Sequence, residues 1–138
     1  MLFNVSEDNL VGTEAYISPE AIHANKFESV SFESDLWSLG VIFWQLFSSD
    51  QTTPFQGKDQ IEVFEDIRNG KYEMADQAPC EVADLIESLL IRRPCERLGS
   101  ASIEDLKNHP VFAQIDFNQI YQRKLQAPLR PRQIKLSL

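Results

Sequence analysis

A nearly unbroken apolar run, DLWSLGVIFWQLF at residues 35–47, sets the main condition on any fold of this chain. Apolar side chains fill nine of the twelve positions after Asp35, which leaves no polar face. A helix that is apolar on all sides is normally buried. We therefore predict a buried central helix, with Ser34 or Asp35 at its start to complement the free N–H groups and the dipole. The run is too short for a transmembrane segment, which needs roughly 20 apolar residues.

Three further helices are indicated by spacing. Ile61, Phe64 and Ile67 recur every three residues before the glycine stop at Gly70. A third helix is predicted between Pro79 and Arg92, where apolar residues follow the i, i+3, i+4 pattern at Val82, Leu85, Ile86, Leu89 and Leu90. Residues 102–105 have capping-box spacing and open a fourth helix that ends before Pro110. Strand signals are scarce, so the fold class is mainly α.

The charge of the chain is divided unevenly along its length. The 138 residues carry a formal net charge of -8, and all 21 acidic residues lie within residues 1–117 with 8 of the 13 basic ones. Residues 118–138 hold the other five bases and no acid, and residues 127–131 (APLRP) are typical of an extended arm. An acidic chain is a poor binder of polyanions, so we expect no nucleic-acid partner.

The residues alone do not assemble a complete active site. The five glycines lie too far apart for a phosphate-binding loop. His23 and His109 stand alone and are best interpreted as helix-terminus or surface histidines. Cys80 and Cys95 form no CxxC pair, so no metal site or disulfide framework is expected, and a reducing, cytoplasmic location fits the composition.

Four motifs occur in an informative order: GTEAYISPE at residues 12–20, SDLWSLG at 34–40, ERLG at 96–99 and HPVF at 109–112. Together they resemble the C-terminal lobe of eukaryotic protein kinases, with GTxxYxxPE similar to the end of the activation segment. Within that family they are most similar to the AGC group and, in it, to the phosphoinositide-dependent protein kinases. The resemblance implies a partial C-terminal (large) lobe with helices around a buried central helix, at residues 1–117, and an extended AGC-like C-terminal tail at 118–138.

The resemblance assigns structural tasks to four residues. It implies that Glu20 forms an ion pair with Arg97 and so ties the activation segment to the lobe. Asp35 is expected to accept hydrogen bonds from the catalytic loop or, without that loop, to cap its own helix. Trp37 is expected to pack under the activation segment; as an aromatic residue on an apolar helix it would be core in any case.

Four other residues are implied to contact the protein substrate. Thr13 is similar to the threonine that lies near the catalytic aspartate and helps select serine or threonine acceptors, and Gly12 allows the turn before it. Tyr16 and Pro19 would shape the groove for the residue that follows the acceptor.

The departures from the family pattern limit what this chain does alone. The Gly-rich loop, the strand lysine, the helix-C glutamate, the HRD…N loop and DFG are not found in it. We therefore expect an incomplete catalytic site, with ATP and Mg²⁺ as cofactors of the complete enzyme and none bound by this chain. The expected partners are a Ser/Thr protein substrate and the missing N-lobe and catalytic-loop segment.

Three positions also differ from the pattern of relatives. Asn9 occupies the place of an activation-loop serine, Glu14 and Ala15 reverse the usual order, and residues 92–94 (RRP) stand where an acid usually precedes proline.

The alternative function is a non-catalytic helical interaction module.

Overall fold

The protein is described by a computed structural model that covers residues 14–23 and 31–126. Within these ranges every regular element is helical, which confirms the mainly α prediction for a kinase C-terminal-lobe fold. The α-helices of these ranges are α1 Pro19–His23, α2 Phe32–Leu46, α3 Gln60–Asn69, α4 Cys80–Leu89, α5 Ile103–Lys107 and α6 Phe117–Tyr121. Short 3₁₀ turns lie at Glu14–Tyr16, Pro94–Glu96 and Pro110–Phe112.

The central helix, α2, begins earlier than the apolar run indicates. Its first residue is Phe32 and Ser31 is the N-cap residue, so the expectation that Ser34 or Asp35 starts the helix is wrong. Serines at several positions of this segment could each act as the N-cap residue of α2. The Ser34 hydroxyl instead donates a hydrogen bond to Glu20. Two sides of α2 are buried through Leu36, Trp37, Val41 and Trp44, among others.

Burial of α2 is nevertheless incomplete, contrary to the prediction from the apolar run. Ile42 is 43% exposed and Leu46 is 70% exposed, and both lie on the same side of the helix. The apolar run therefore identifies a helix that is buried on two sides and partly exposed on the third within the described residues.

Helix α4 packs directly against α2. Its predicted apolar positions Val82, Leu85, Ile86 and Leu89 are all buried, because they form one face at helical spacing. The close approach depends on Gly40, where a Cβ atom would lie 2.8 Å from Leu90 Cδ2 and 2.9 Å from Leu89 Cβ. A side chain at position 40 would therefore clash with Leu89 and Leu90, and the glycine lets α2 and α4 pack closely.

The core divides into two clusters on either side of α2. The larger contains Trp37, Val41 and Trp44 with residues of α1, α3 and α4; the smaller joins Leu36 to Leu85, Leu89 and Leu106. Helix α3 contributes Phe64 and Ile67 to the larger cluster, whereas Ile61 is 69% exposed although its spacing predicts a core position.

Polar caps fix the ends of the shorter helices. The Asp59 side chain accepts a hydrogen bond from the Glu62 N–H at the start of α3, and Gly70 ends that helix in the left-handed conformation (φ 62°). Ser102 begins α5, where its hydroxyl accepts from the Glu104 N–H. The end of α3 and the start of α5 agree with the sequence prediction.

Two edge-to-face ring contacts connect the C-terminal part to α2. Phe112 lies 5.9 Å from Phe43 of α2 and 5.9 Å from Phe117 of α6, measured between ring centroids. The described chain ends at Gln126, and the arm at residues 127–131 lies outside the described residues. In the described ranges no helix is long and apolar enough to cross a bilayer.

Candidate functional site

Arg97 is the most completely bonded side chain of the candidate site. Its side chain is 0% exposed, and Nη1 and Nη2 each donate to a different oxygen of Glu20 at 2.7 Å. Nε donates to the Ile91 carbonyl at 2.8 Å, Nη1 also donates to the Glu33 carbonyl at 2.6 Å, and Nη2 to the Arg92 carbonyl at 3.3 Å. All five N–H groups of the guanidinium therefore have acceptors, which is the condition for burying this cation.

The Glu20 carboxylate is held from a second side by serine hydroxyls. Ser34 Oγ donates to Glu20 Oε1 at 2.8 Å, and Ser18 Oγ donates to Ser34 Oγ at 3.0 Å. Ser18 and Ser34 are both buried. The network therefore joins the residue before the Pro-Glu pair, the first turn of α2 and the loop that carries Arg97.

The environment of Glu20 favours its ionised form. Burial acts to raise the pKa of this carboxyl, but hydrogen bonds from Arg97 and Ser34, and the charge of Arg97, outweigh burial and hold the pKa below its usual value of 4.5. The carboxylate and guanidinium thus form a charge-assisted, two-pronged pair. This geometry fastens α1 to the Arg97 loop across 77 residues of sequence.

The Trp37 ring is the apolar surface against which Arg97 packs in this site. The guanidinium carbon of Arg97 lies over its ring, 5.1 Å from the centroid, and the Phe55 ring stacks on it at 5.5 Å with an interplanar angle of 10°. Phe55 in turn meets Tyr72 edge to face, and burial, with the nearby Glu87 charge, raises the pKa of Tyr72 to about 12. Trp37 is fully buried, as a core residue would be.

Tyr16 is attached to α2 at two points. Its hydroxyl donates to Gln45 Oε1 at 2.7 Å, and its carbonyl accepts from Ser38 Oγ at 2.9 Å. Pro19 is buried at the start of α1. Gly12 and Thr13, the other two expected substrate-contact residues, lie outside the described residues, as does Asn9.

Asp35 stands apart from this network. It occupies the first turn of α2, where a carboxylate complements the helix dipole, but it is exposed and has no side-chain partner within residues 14–23 and 31–126. The structure therefore joins Glu20, Arg97 and Trp37 in one cluster, with Tyr16 and Pro19 beside it, and leaves Asp35 outside it.

His109 is not a surface histidine. It is 7% exposed, its Nε2 lies 3.1 Å from Asp84 Oδ2 of α4, and its Nδ1 accepts from the Val111 N–H at 3.3 Å. It does lie at the terminus of an element, because it is the N-cap residue of the 3₁₀ turn Pro110–Phe112. His23 is the last residue of α1.

Ser18 and Ser34 take part in the site through contacts that the sequence does not predict. Their hydroxyls connect positions 16 residues apart, so no local pattern indicates the contact. The available signal is Ser18 itself, since the kinase signature has alanine before Pro-Glu. A buried hydroxyl at that position needs a partner, and Ser34 is the partner.

The charged side chains of this site are engaged with each other. Within the described ranges no three His, Cys, Asp or Glu side chains are grouped so that they could hold a metal. The carboxylate of Glu20 is already engaged by Arg97 and Ser34. Arginine and carboxylate here bind each other.

The motifs, the helical fold and this ion-pair cluster agree with a comparison to known families. Residues 3–112 match the family described as "Protein kinase domain". The chain therefore belongs to the protein kinase domain family.

The individual proteins to which this chain is similar include several ribosomal protein S6 kinases. The chain is 38% identical over 120 residues to "Ribosomal protein S6 kinase alpha-6" of Mus musculus, covering 87% of this chain and 15% of that protein. It is 36% identical to the Homo sapiens protein of the same name, and 33% identical over 122 residues to "Ribosomal protein S6 kinase alpha-2" of Mus musculus. These S6 kinases are AGC kinases, which supports the resemblance to that group. The chain spans about 15% of the length of the first two relatives.

Proposed function

We propose that this chain is part of a Ser/Thr protein kinase, in which it supplies the substrate-docking loop and the helical support behind it. The observation that carries the proposal is the buried, two-pronged pair between Glu20 and Arg97, which would anchor the end of an activation segment in a fixed position. A segment that must present a substrate needs such a rigid attachment. The names of the S6 kinase relatives support the kinase class.

In this proposal Gly12, Thr13, Tyr16 and Pro19 form the substrate-docking part of the activation segment. The attachment of Tyr16 to Gln45 and Ser38 supports a fixed groove at this point. Thr13 would stand near the acceptor hydroxyl of a protein serine or threonine. The chain would take part in transfer by positioning the substrate.

Asp35 and Trp37 would support the catalytic loop from below. The exposed carboxylate of Asp35 is available to backbone N–H groups of a loop that reaches this side of α2. We assign residues 1–117 to the kinase domain and residues 118–138 to an AGC-like tail. The likeness to phosphoinositide-dependent kinases remains a prediction based on residues 16–20 and 34–37.

The family implies ATP and Mg²⁺ for the complete enzyme, which would transfer the γ-phosphoryl group to the substrate hydroxyl. Their sites would be formed by the N-lobe and catalytic-loop parts of the kinase, which are the partners this chain requires. Exposed, unpaired Cys80 and Cys95 favour a reducing compartment and therefore a cytoplasmic location.

A chimeric enzyme tests the proposal. The matching 120 residues of the mouse S6 kinase alpha-6 are replaced by those of this chain, and phosphate transfer from labelled ATP to Ser/Thr peptides is measured. We expect transfer, a large loss with Arg97→Met, and little change with Arg93→Met, an exposed arginine. A folded chimera that binds ATP and transfers no phosphate to any peptide would rule the docking function out.

The alternative, a non-catalytic helical interaction module, has one observation in its favour. Apolar side chains of α2, Ile42 and Leu46, are exposed in the described part of the chain. A module of this kind would bind a helical or extended partner there and would need no ATP. Partner binding by the chain, together with an inactive chimera, would favour this function.

A further inference from the structure

Two arginines near the C-terminal end of α3, Arg68 and Arg92, lack the acidic partners that the surrounding bases have. Five bases of this region have a carboxylate oxygen within 4.0 Å: Lys58, Lys71, Arg93, Arg97 and Lys107. Arg68 and Arg92, which we call the arginine pair, have no such partner among the described residues. In a chain with 21 acidic and 13 basic residues, two unpaired cations in contact with each other need an explanation.

Arg68 has a buried donor without an acceptor. It lies in the last turn of α3, and its Nε is shielded from solvent and has no hydrogen-bond partner within the described residues. The residue as a whole is only half-buried, so the Nη groups at the end of the side chain remain open to solvent. A cation that is partly shielded from water and has no carboxylate nearby is stabilised by an anion from outside the chain.

Arg92 reaches the same end of α3 from the segment that follows α4. Its Nη1 lies 3.4 Å from the Arg68 carbonyl oxygen, a distance at which a hydrogen bond is weak. Its aliphatic stem lies against Gly70, where a Cβ atom would be 3.3 Å from Cγ and Cδ of Arg92. Arg92 is exposed, and the other donors of its guanidinium have no partner in the described part of the chain. They are therefore available to a ligand.

The backbone that carries Arg92 is fixed by the buried Arg97 side chain. Arg97 Nη2 donates to the Arg92 carbonyl at 3.3 Å, and Arg97 Nε donates to the Ile91 carbonyl at 2.8 Å. A fixed backbone reduces the entropy that is lost when a side chain becomes ordered around a ligand. Only the side chain of Arg92 has to settle when an anion binds.

The residue that follows Arg92 leaves its charge uncompensated. Residues 92–94 (RRP) stand where an acid usually precedes proline, so Arg93 occupies the position of that acid. A carboxylate at position 93 would compete with an external anion for Arg92. Arg93 cannot compete in this way, and its own charge is paired with Glu96.

Two guanidinium groups favour a compact anion with several oxygens and more than one charge. A phosphate monoester carries about −1.5 to −2 charges at pH 7 and three terminal oxygens. The fork of an arginine side chain matches two oxygens of a phosphate. A carboxylate would balance one of the two charges. Long polyanions are disfavoured, because all 21 acidic residues lie within residues 1–117.

We propose that Arg68 and Arg92 form a binding site for a phosphate monoester, which accepts hydrogen bonds from the guanidinium groups of both residues. The same chemistry is offered by a phosphorylated side chain of a protein and by a free phosphate ester. The inference goes beyond the proposed function and is tested without phosphate transfer, so its failure leaves the proposed kinase role unaffected.

Titration of the full 138-residue chain tests the site. Nitrogen-15 spectra, in phosphate-free buffer at constant ionic strength and at a pH of about 7.5, follow the Arg68 Nε–H and the Gly70 N–H signals. The ligands are inorganic phosphate, a phosphoserine peptide flanked by glycine and alanine, and the same peptide without phosphate. We expect saturable shifts of both signals with the two phosphate ligands and none with the unphosphorylated peptide.

The two phosphate ligands distinguish the sources. Tighter binding of the phosphopeptide supports the proposal and identifies a phosphorylated side chain as the ligand, whereas equal affinities support it with free phosphate esters as sufficient ligands. Absence of a saturable shift with both ligands would overturn the proposal. Equal shifts with the unphosphorylated peptide would also overturn it.

Charge variants test whether these two arginines form the site. Arg92→Gln and Arg68→Gln should each weaken binding at least about tenfold, followed by the Gly70 signal, because each removes charge-assisted hydrogen bonds. Arg93→Gln removes the same charge from the adjacent residue, which is already paired, and should change the Kd less than about twofold. Equal weakening by all three variants would indicate general charge attraction and would contradict the site.

Arg92→Lys separates the fork from the charge. A lysine keeps the positive charge at this exposed position but offers a single ammonium centre, so we expect binding to weaken about three- to tenfold. Circular dichroism and the urea midpoint should show that this variant folds as the natural chain does. Unchanged phosphate affinity in Arg92→Lys would overturn the two-guanidinium geometry.

Discussion

At the scale of single residues, Arg97 combines full burial with complete hydrogen bonding. Its five N–H groups contact one carboxylate and three backbone carbonyls, and its plane lies near the Trp37 ring. A lysine has one ammonium centre and does not reproduce the fork, so this position requires arginine specifically.

Replacing Arg97 by methionine should therefore destabilise the chain by about 3–5 kcal/mol, because the Glu20 carboxylate and three carbonyls lose their donor. Urea denaturation followed by circular dichroism measures the change. Arg93→Met is the matched control: the Arg93 side chain is 76% exposed in its pair with Glu96, so its loss should lie within about 0.5 kcal/mol. Similar losses for the two variants would contradict the structural role of Arg97.

The lowered pKa of Glu20 predicts an acid-sensitive contribution to stability. Because the folded-state pKa lies below the usual value of 4.5, the folded chain binds this proton less tightly than the unfolded chain. The contribution is fully present above that value and is lost as the pH falls through the folded-state pKa. Unfolding free energies measured between pH 7 and pH 3 should fall less steeply for Glu20→Gln than for the natural sequence.

Other carboxyls also titrate in this acidic range. The pKa values of Asp50, Asp76 and Asp116 are lowered by hydrogen bonds from nearby side chains and backbone N–H groups. Asp76→Asn, which leaves the Glu20 cluster intact, is the appropriate control. Parallel pH curves for Glu20→Gln and the natural sequence would show that Glu20 contributes nothing to acid sensitivity.

At the scale of elements, the close packing of α2 against α4 requires a residue without a side chain at position 40, which is Gly40. Alanine normally favours a helix over glycine by about 1 kcal/mol. Here its methyl group would lie under 3 Å from Leu89 and Leu90, which have little room to move in the core. Sterics and propensity therefore act in opposite directions at this position.

We expect sterics to prevail, so Gly40→Ala should destabilise the chain by about 1–3 kcal/mol. Thermal and urea denaturation measure the loss. Glu65→Ala, at an exposed position of α3, introduces the same residue without a clash and should change stability by less than about 0.5 kcal/mol. A Gly40→Ala variant as stable as the natural sequence would indicate that α4 can shift away from α2.

The helices differ in how well their positions and ends can be predicted from the sequence. Helix α4 is predictable because its buried residues repeat at helical spacing, and the end of α3 because Gly70 is a left-handed stop. The start of α2 is not predictable in this way, because serines and acidic residues at several positions could each cap the helix. The exposed side of α2 and the Ser18–Ser34 contact depend on tertiary neighbours, which periodicity does not encode.

At the scale of the whole molecule, the motifs identify the protein kinase family before any coordinate is considered. The Glu20–Arg97 pair was implied by that resemblance, whereas its full set of five donated bonds required the structure. The burial of His109 against Asp84 could not be predicted, because the two residues are 25 positions apart.

The chain should not bind nucleotide by itself. Its five glycines are dispersed, and the described residues provide neither a phosphate loop nor a metal-binding cluster. Isothermal titration of the 138-residue chain with ATP and Mg²⁺ should give only heats of dilution, while a complete S6 kinase titrated in parallel gives a saturable curve. A saturable curve for the chain would require a nucleotide site formed by other residues.

The stacking of Trp37 between a guanidinium and an aromatic ring has an optical consequence. The chain contains only two tryptophans, and Trp37 and Trp44 are both buried. Detachment of the segment that carries Glu20 would take Ile17 and Ile22 out of the core cluster of Trp37 and admit water to this indole, while Trp44, hydrogen-bonded to the Glu73 carbonyl, stays in place. The wavelength of tryptophan emission therefore reports whether this segment is attached, without any added label.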